Sequence, residues 1–250
     1  MPSVAQHSGE LEHIAERAVA GWRERVPPRS TAAFALCREA IAVACRTLLR
    51  EEEEHCQTAT PRYFEVPFGM PRAPIESDLA SPEPVEIALG PAQRFHLRGR
   101  IDRIDEAPDG TFQVWDYKTG GTGSIEEQNG VHGGRQVQFA LYAAATEQLL
   151  ARAGKPARVS RSGYFFPGQK GQGQRIVPRW DRDEAGRVVN VLFDLMAAGA
   201  FPHTPKEEDC TICDFRSVCG DVGEAAAQAR LKIEKSESGL LVAFDEIRDE

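Results

Sequence analysis

Two short runs in this chain concentrate groups able to activate water. They are Gly99-Arg-Ile-Asp-Arg-Ile-Asp105 and Val114-Trp-Asp-Tyr-Lys-Thr-Gly120. Read as a strand, the second run puts Phe112, Val114, Asp116 and Lys118 on one face, because strand side chains alternate with a period of two. An acid and a lysine side by side on a strand interior are costly to keep unless they share a task. Asp102 lies on the preceding strand, and a hairpin between the two sets it beside Asp116. Glu65, on an earlier strand, is placed to supply a third carboxylate. Carboxylates converging on a sheet face make a hard oxygen site that suits Mg2+ or Mn2+. A lysine beside such an ion can orient or help deprotonate an attacking water, and can stabilise charge building on a phosphorus centre. The plainer alternative is that Asp102, Asp116 and Lys118 are rim charges joined in salt bridges.

A second cluster of chemically capable residues lies near the C-terminus. Cys210-Thr-Ile-Cys213 followed by Cys219 has the form C-x2-C-x5-C. A Cys-x-x-Cys turn brings two thiolates to one metal or cluster, and three ligands leave a fourth to be found. The other cysteines are Cys37, Cys45 and Cys56. Cys37 and Cys45 fall on the apolar stripe of a helix and read as core. Cys56, near the helix end, is the remaining substitute. With no secretory signal, clustered cysteines read as ligands rather than as disulfides.

The elements that must position these groups follow from periodicity. Leu11, Ile14, Ala15, Ala18, Val19 and Trp22 recur at helical spacing, predicting a helix over 9–24 that Pro27 and Pro28 close. Ser30 reads as the N-cap of a longer helix reaching His55. The glutamates Glu51 to Glu54 at its end read as solvated, since the helix dipole disfavours them there. Alternation then predicts strands over 63–68, 85–89, 94–104 and 111–118, with a turn at Pro108-Asp109-Gly110, together an antiparallel meander. A glycine-rich loop over 120–134 leads to a helix over 135–153. Strands over 163–166 and 174–177 and a helix over 181–198 follow. Residues 221–250 read as a polar C-terminal tail or loose helix after a domain spanning 1–220. The pattern is α/β.

The totals agree with this plan. At 250 residues, 41% hydrophobic and 27% charged, the chain is long enough and apolar enough for a core. Its formal charge of −8 argues against non-specific coating of nucleic acid. A local basic groove is still compatible with that total. No run is long enough to span a bilayer, and residues 1–10 carry no basic and apolar leader, so a cytoplasmic location is expected. No Walker motif is present, so a helicase motor would have to reside elsewhere.

The run from Gly99 to Asp105, together with Asp116-Tyr117-Lys118-Thr119-Gly120, closely resembles the nuclease domain of RecB and AddB-type helicase–nucleases, of the PD-(D/E)XK superfamily. It also resembles the small CRISPR-adaptation iron–sulfur nucleases of that superfamily. The resemblance runs from about residue 9 to 220. It implies a restriction-endonuclease-like core: a mixed central sheet flanked by helices, with a C-terminal cysteine cluster. It further implies metal-dependent DNA hydrolysis, exonuclease-like, in repair or recombination, in partnership with or derived from a helicase subunit. On that resemblance Glu65, Asp102 and Asp116, with the Tyr117 carbonyl, hold Mg2+ or Mn2+, and Lys118 assists the water. Gln138 and Tyr142 match the family's Gln-x-x-x-Tyr, and a spacing of four puts them on one helical face. With Arg135 they are expected to border the DNA. His13, four residues after Gly9, matches an early-helix histidine. Cys210, Cys213 and Cys219 resemble three ligands of a 4Fe-4S cluster, with Zn2+ the alternative. In the family the fourth cysteine precedes the early-helix histidine. This chain has none before His13, so that ligand is expected in sequence lost from the N-terminus. The competing reading is a catalytically weak DNA-binding or docking module of a larger repair complex. A zinc-ribbon regulator would need a second Cys or His pair.

Overall fold

The computed structural model describes residues 1–73, 76–89, 93–123, 125, 130–211, 213–236 and 238–249. The expected loop over 120–134 therefore lies partly outside the described residues. The chain divides into two compact units. The first comprises residues 1–87, 94–130 and 138–179; the second comprises 88–93, 131–137 and 180–250.

The first unit opens with α1 (Val4–Arg25) and α2 (Thr31–His55). Helix α1 starts five residues earlier than its apolar stripe predicts. Helix α2 begins as expected, with the Ser30 hydroxyl accepting from Ala33 N–H at 3.1 Å. The strands β1 (Thr60–Phe68), β4 (Gly99–Glu106), β5 (Phe112–Tyr117), β6 (Val159–Phe166) and β7 (Gln174–Ile176) form one sheet in the order β1-β4-β5-β6-β7. All neighbours are antiparallel except β5 and β6, which are parallel. A parallel pair needs a crossover, and α3 (Gln138–Arg152) supplies it. Its apolar face, including Phe139, Ala143 and Leu150, is buried.

The expected meander is corrected in one respect. The strand anticipated over 94–104 breaks at Arg98 into β3 (Gln93–Leu97) and β4. Strand β3 pairs with β2 (Val85–Leu89) in a separate two-stranded sheet, while β4 pairs with β1. Gly69 approaches the chain closely at this break. Its φ is +67°, and a Cβ at that position would lie 2.5 Å from the Arg98 Cβ.

In the second unit, α4 (Arg182–Ala197) is capped by Asp181, whose carboxylate accepts from Glu184 N–H at 2.8 Å. Two short helices, α5 (Glu207–Cys210) and α6 (Arg216–Cys219), carry cysteines. The segment expected to be a polar tail or loose helix is largely helical, in α7 (Val222–Glu234) and α8 (Gly239–Asp249). Ala226, Ile233, Phe244 and Ile247 are buried. Arg248 ties α8 to Asp209 at 2.8 Å and to the Gly133 carbonyl at 3.1 Å. Burial alone would raise the Asp209 carboxyl, but its bonds from Arg135 and Thr204 and the Arg248 charge lower it to about 2. No described helix is long and apolar enough to cross a membrane.

Candidate active site

Sheet register builds the site. Arg103 pairs with Trp115 and Ile104 with Val114, so one step further along Asp102 faces Asp116. On the other side of β4, Phe64 pairs with Arg103 and Val66 with Ile101, which sets Glu65 at the register position of Asp102. Asp116 pairs with Tyr164 on β6. Glu65, Asp102, Asp116 and Tyr164 thus form one row across four strands, and Lys118 stands two residues beyond Asp116.

Asp116 is buried, with only 5% of its surface exposed. Its Oδ2 meets Lys118 Nζ at 2.5 Å as an ion pair, and among the described residues that oxygen has no aligned hydrogen bond. Burial pushes the Asp116 carboxyl above its ordinary range, and the Asp102 charge adds to the push. The pairing with Lys118 opposes both without cancelling them. The Lys118 ammonium also donates to Gln138 Oε1 at 3.0 Å and lies 5.3 Å from the Tyr164 ring centroid. Burial first, then the Asp116 charge, pushes the Tyr164 hydroxyl up to about 12. Asp102 Oδ2 accepts the Tyr117 main-chain N–H at 2.8 Å.

The structure therefore gathers Asp102, Asp116, Lys118 and Gln138. Tyr142 lies one turn beyond Gln138 on α3, edge-on to Phe68 with ring centroids 6.4 Å apart. Glu65 is in the row but turned outward. It is exposed, pairs with Arg100 at 3.4 Å, and holds φ at +49°. That left-handed backbone costs a non-glycine residue roughly 1–2 kcal/mol. His13 is exposed on α1, whose main packing partner is α2. Arg135 has an occupation other than the expected DNA contact. Its guanidinium forks onto Asp209, with Nε–Oδ1 at 2.7 Å and Nη2–Oδ2 at 2.8 Å.

Two carboxylates and a buried, unaligned carboxylate oxygen fit a hard divalent cation, with one lysine too few to neutralise them. Among the described residues, however, no group of three or more His, Cys, Asp or Glu side chains is drawn together around a metal position. A third carboxylate requires Glu65 to leave Arg100. The cysteines fit a closed cluster less well. Slight burial and then the charges of Cys213 and Cys219 raise the Cys210 thiol. All three are free, and the latter two are exposed. Cys37, read as core, is exposed as well. Cys56 is tied to Glu52 at 3.6 Å, and burial and that carboxylate push its thiol up to about 11.

The model of the PD-(D/E)XK nuclease superfamily matches residues 3–220. The chain belongs to the PD-(D/E)XK nuclease superfamily. No curated protein matches it. The mixed sheet with flanking helices is the α/β, restriction-endonuclease-like architecture of these nucleases, and membership implies phosphodiester hydrolysis. Divalent metals such as Mg2+ are typical of PD-(D/E)XK nucleases.

Two features of the site escaped sequence reasoning. Tyr164 reaches Lys118 only because β6 runs parallel to β5, and a short apolar run carries no sign of direction. On the opposite sheet face, Glu52 is buried rather than solvated, and accepts from Arg103 and Arg175 at 2.6 Å each. The available signal was Arg103 and Asp105, charges spaced by two on the face of β4 opposite Asp102.

Gln138→Ala removes the acceptor that holds Lys118. Its expected effect is a loss of turnover of roughly tenfold or more, since a hydrogen bond to a charged group is worth about 1.5–3 kcal/mol. Thermal unfolding should shift little, because Gln138 is half-buried at the first turn of α3. Equal losses of stability and rate would make it a packing residue instead.

Proposed function

We propose that the chain is a divalent-metal-dependent deoxyribonuclease that hydrolyses phosphodiester bonds at Asp102, Asp116 and Lys118. The observation that carries the reading is the Asp116–Lys118–Gln138 constellation beside Asp102. Its lysine is held by two partners, and its acid is buried with one oxygen unaligned. Asp102, Asp116 and the Tyr117 carbonyl would hold Mg2+ or Mn2+, with Glu65 completing the set on release from Arg100. The strained backbone at Glu65 supports a functional constraint there.

The cation, when bound, supplies Lewis acidity and neutralises charge at the scissile phosphate. Lys118 presents an ammonium proton toward the phosphate oxygens, where negative charge builds as water attacks phosphorus and the sugar oxygen departs. Asp116 and Gln138 fix the direction of that proton. Tyr142 and Gln138, on one face of α3, border the DNA strand. Early-helix His13 has a part only if α1 approaches the bound strand. An exonuclease-like role in repair or recombination, with a helicase partner, rests on the resemblance of residues 99–120 to RecB and AddB-type domains. The iron–sulfur or zinc assignment of Cys210, Cys213 and Cys219 rests on their spacing, and no step is routed through it.

A second reading, a DNA-holding module without turnover, draws on the outward turn of Glu65. Incubation with labelled DNA separates the two. Cleavage that requires Mg2+ or Mn2+ and stops on chelation supports the nuclease; metal-independent DNA retention without cleavage supports the module.

A further inference from the structure

A cluster of buried charge lies on the sheet face opposite Asp116. Arg103, 2% exposed, donates from Nε to Asp105 Oδ1 and from Nη1 to Glu52 Oε1, both at 2.6 Å. His55 meets Asp105 Oδ2 at 2.8 Å, and Arg175 donates to Glu52 at 2.6 Å. Arg103 Nη1 also donates to the Tyr117 hydroxyl at 3.2 Å. Burial would raise the Asp105 carboxyl, but the bonds from His55 and Arg103 hold it below its ordinary range.

Tyr117 is the middle residue of Asp116-Tyr117-Lys118, and it is bonded on both faces of the sheet. Its main-chain N–H goes to Asp102 and its hydroxyl to Arg103. Its ring also packs on Phe165, with centroids 5.6 Å apart. Arg103 is in turn the chain neighbour of Asp102. One guanidinium therefore steadies the strand residue next to Asp102 and the residue between Asp116 and Lys118. The peptide planes around Tyr117 set the directions of both flanking side chains, which point the opposite way.

We propose that Arg103, Glu52 and the Tyr117 hydroxyl form a positioning device for the nuclease site, acting through the sheet from α2; this rests on the proposed nuclease function. Stability alone explains the cluster poorly. Buried ion pairs are often replaceable by apolar residues without loss. This one also leaves Arg103 Nη2, Arg175 Nε and Trp115 Nε1 buried without a hydrogen-bond partner among the described residues. Geometry is what such a network delivers, and a misplacement of about 1 Å at reacting groups costs up to roughly a hundredfold in rate.

The test uses the full chain and two variants, Tyr117→Phe and Glu52→Gln. The first keeps the ring and the carbonyl and deletes only the acceptor. The second keeps the shape and removes the charge on α2. Native-state hydrogen exchange reads the Tyr117 amide against the amides of β6. DNA cleavage is read as kcat and KM separately. The expected result is exchange at Tyr117 accelerated roughly tenfold in Glu52→Gln, the scale of one charged hydrogen bond. The β6 amides should change much less, and kcat should fall with KM unchanged. Tyr117→Phe should show the same pattern more weakly, and carries the test if Glu52→Gln does not fold. Uniform acceleration of all sheet amides, or none, with kcat unaltered in both variants, overturns the proposal. If the parent cuts no DNA, the nuclease reading fails, and the selectivity at the Tyr117 amide still decides for or against the device.

Discussion

Lys118→Ala is expected to reduce DNA cleavage by more than roughly a hundredfold, the usual scale for deleting a positioned catalytic group. The lysine ammonium meets Asp116 at 2.5 Å and Gln138 at 3.0 Å, so its direction is fixed before substrate arrives. Its loss removes an interaction that strengthens as charge develops, so kcat should fall and KM should hold. Metal uptake should persist, since lysine ligates nothing. It should even tighten, because the Asp116 carboxylate loses a competing cation. Mn2+ calorimetry on the variant checks this directly. Stability should be retained, since Lys118 is itself about a third exposed, at 36%. A variant that loses metal binding together with activity would make Lys118 a structural counter-charge.

Asp105→Ala should cost about 3–5 kcal/mol of stability, the range for removing one partner of a buried ion pair. Asp105 has no exposed surface and meets both Arg103 and His55. Its removal leaves Arg103 with Glu52 and the Tyr117 hydroxyl, and takes the carboxylate from His55. Thermal unfolding should fall by roughly 10 °C for a chain of this size. A fall of only 1–2 °C would mean that water or Glu52 takes over Arg103 at little cost. The contrast with Lys118→Ala is informative. One substitution should remove activity and spare stability, and the other should lower stability from the opposite face of the same sheet.

The hairpin that carries the proposed site was legible because its chemistry and its alternation coincide. Asp102, Asp116 and Lys118 sit at strand spacing on two neighbouring runs, and the observed register brings the two acids opposite each other. Gln138 was legible from the resemblance, and its bond to Lys118 agrees with a place at the site. What stayed hidden depended on partners remote in sequence. Glu52 looks like its glutamate neighbours until Arg103, 51 residues away, reaches it. Arg135, expected to border the DNA, gives no sign in the sequence of its partner Asp209, 74 residues on. The burial of the C-terminal helices was hidden for a different reason. Phe244 and Ile247 recur at helical spacing, but acidic and basic neighbours dilute the stripe, and their burial supplies what composition did not show.

The most direct measurement is cleavage of end-labelled DNA by the parent and by Asp116→Ala, each with Mg2+, with Mn2+ and with a chelator. Asp116 supplies the buried carboxylate that no other residue in the row replaces, since Asp102 is already bonded to Tyr117. The account predicts cleavage by the parent with either metal and none with chelator. It also predicts loss of both cleavage and Mn2+ binding in Asp116→Ala, with the fold intact by circular dichroism. Cleavage by Asp116→Ala at the parent's rate, with the same metal dependence, would contradict it.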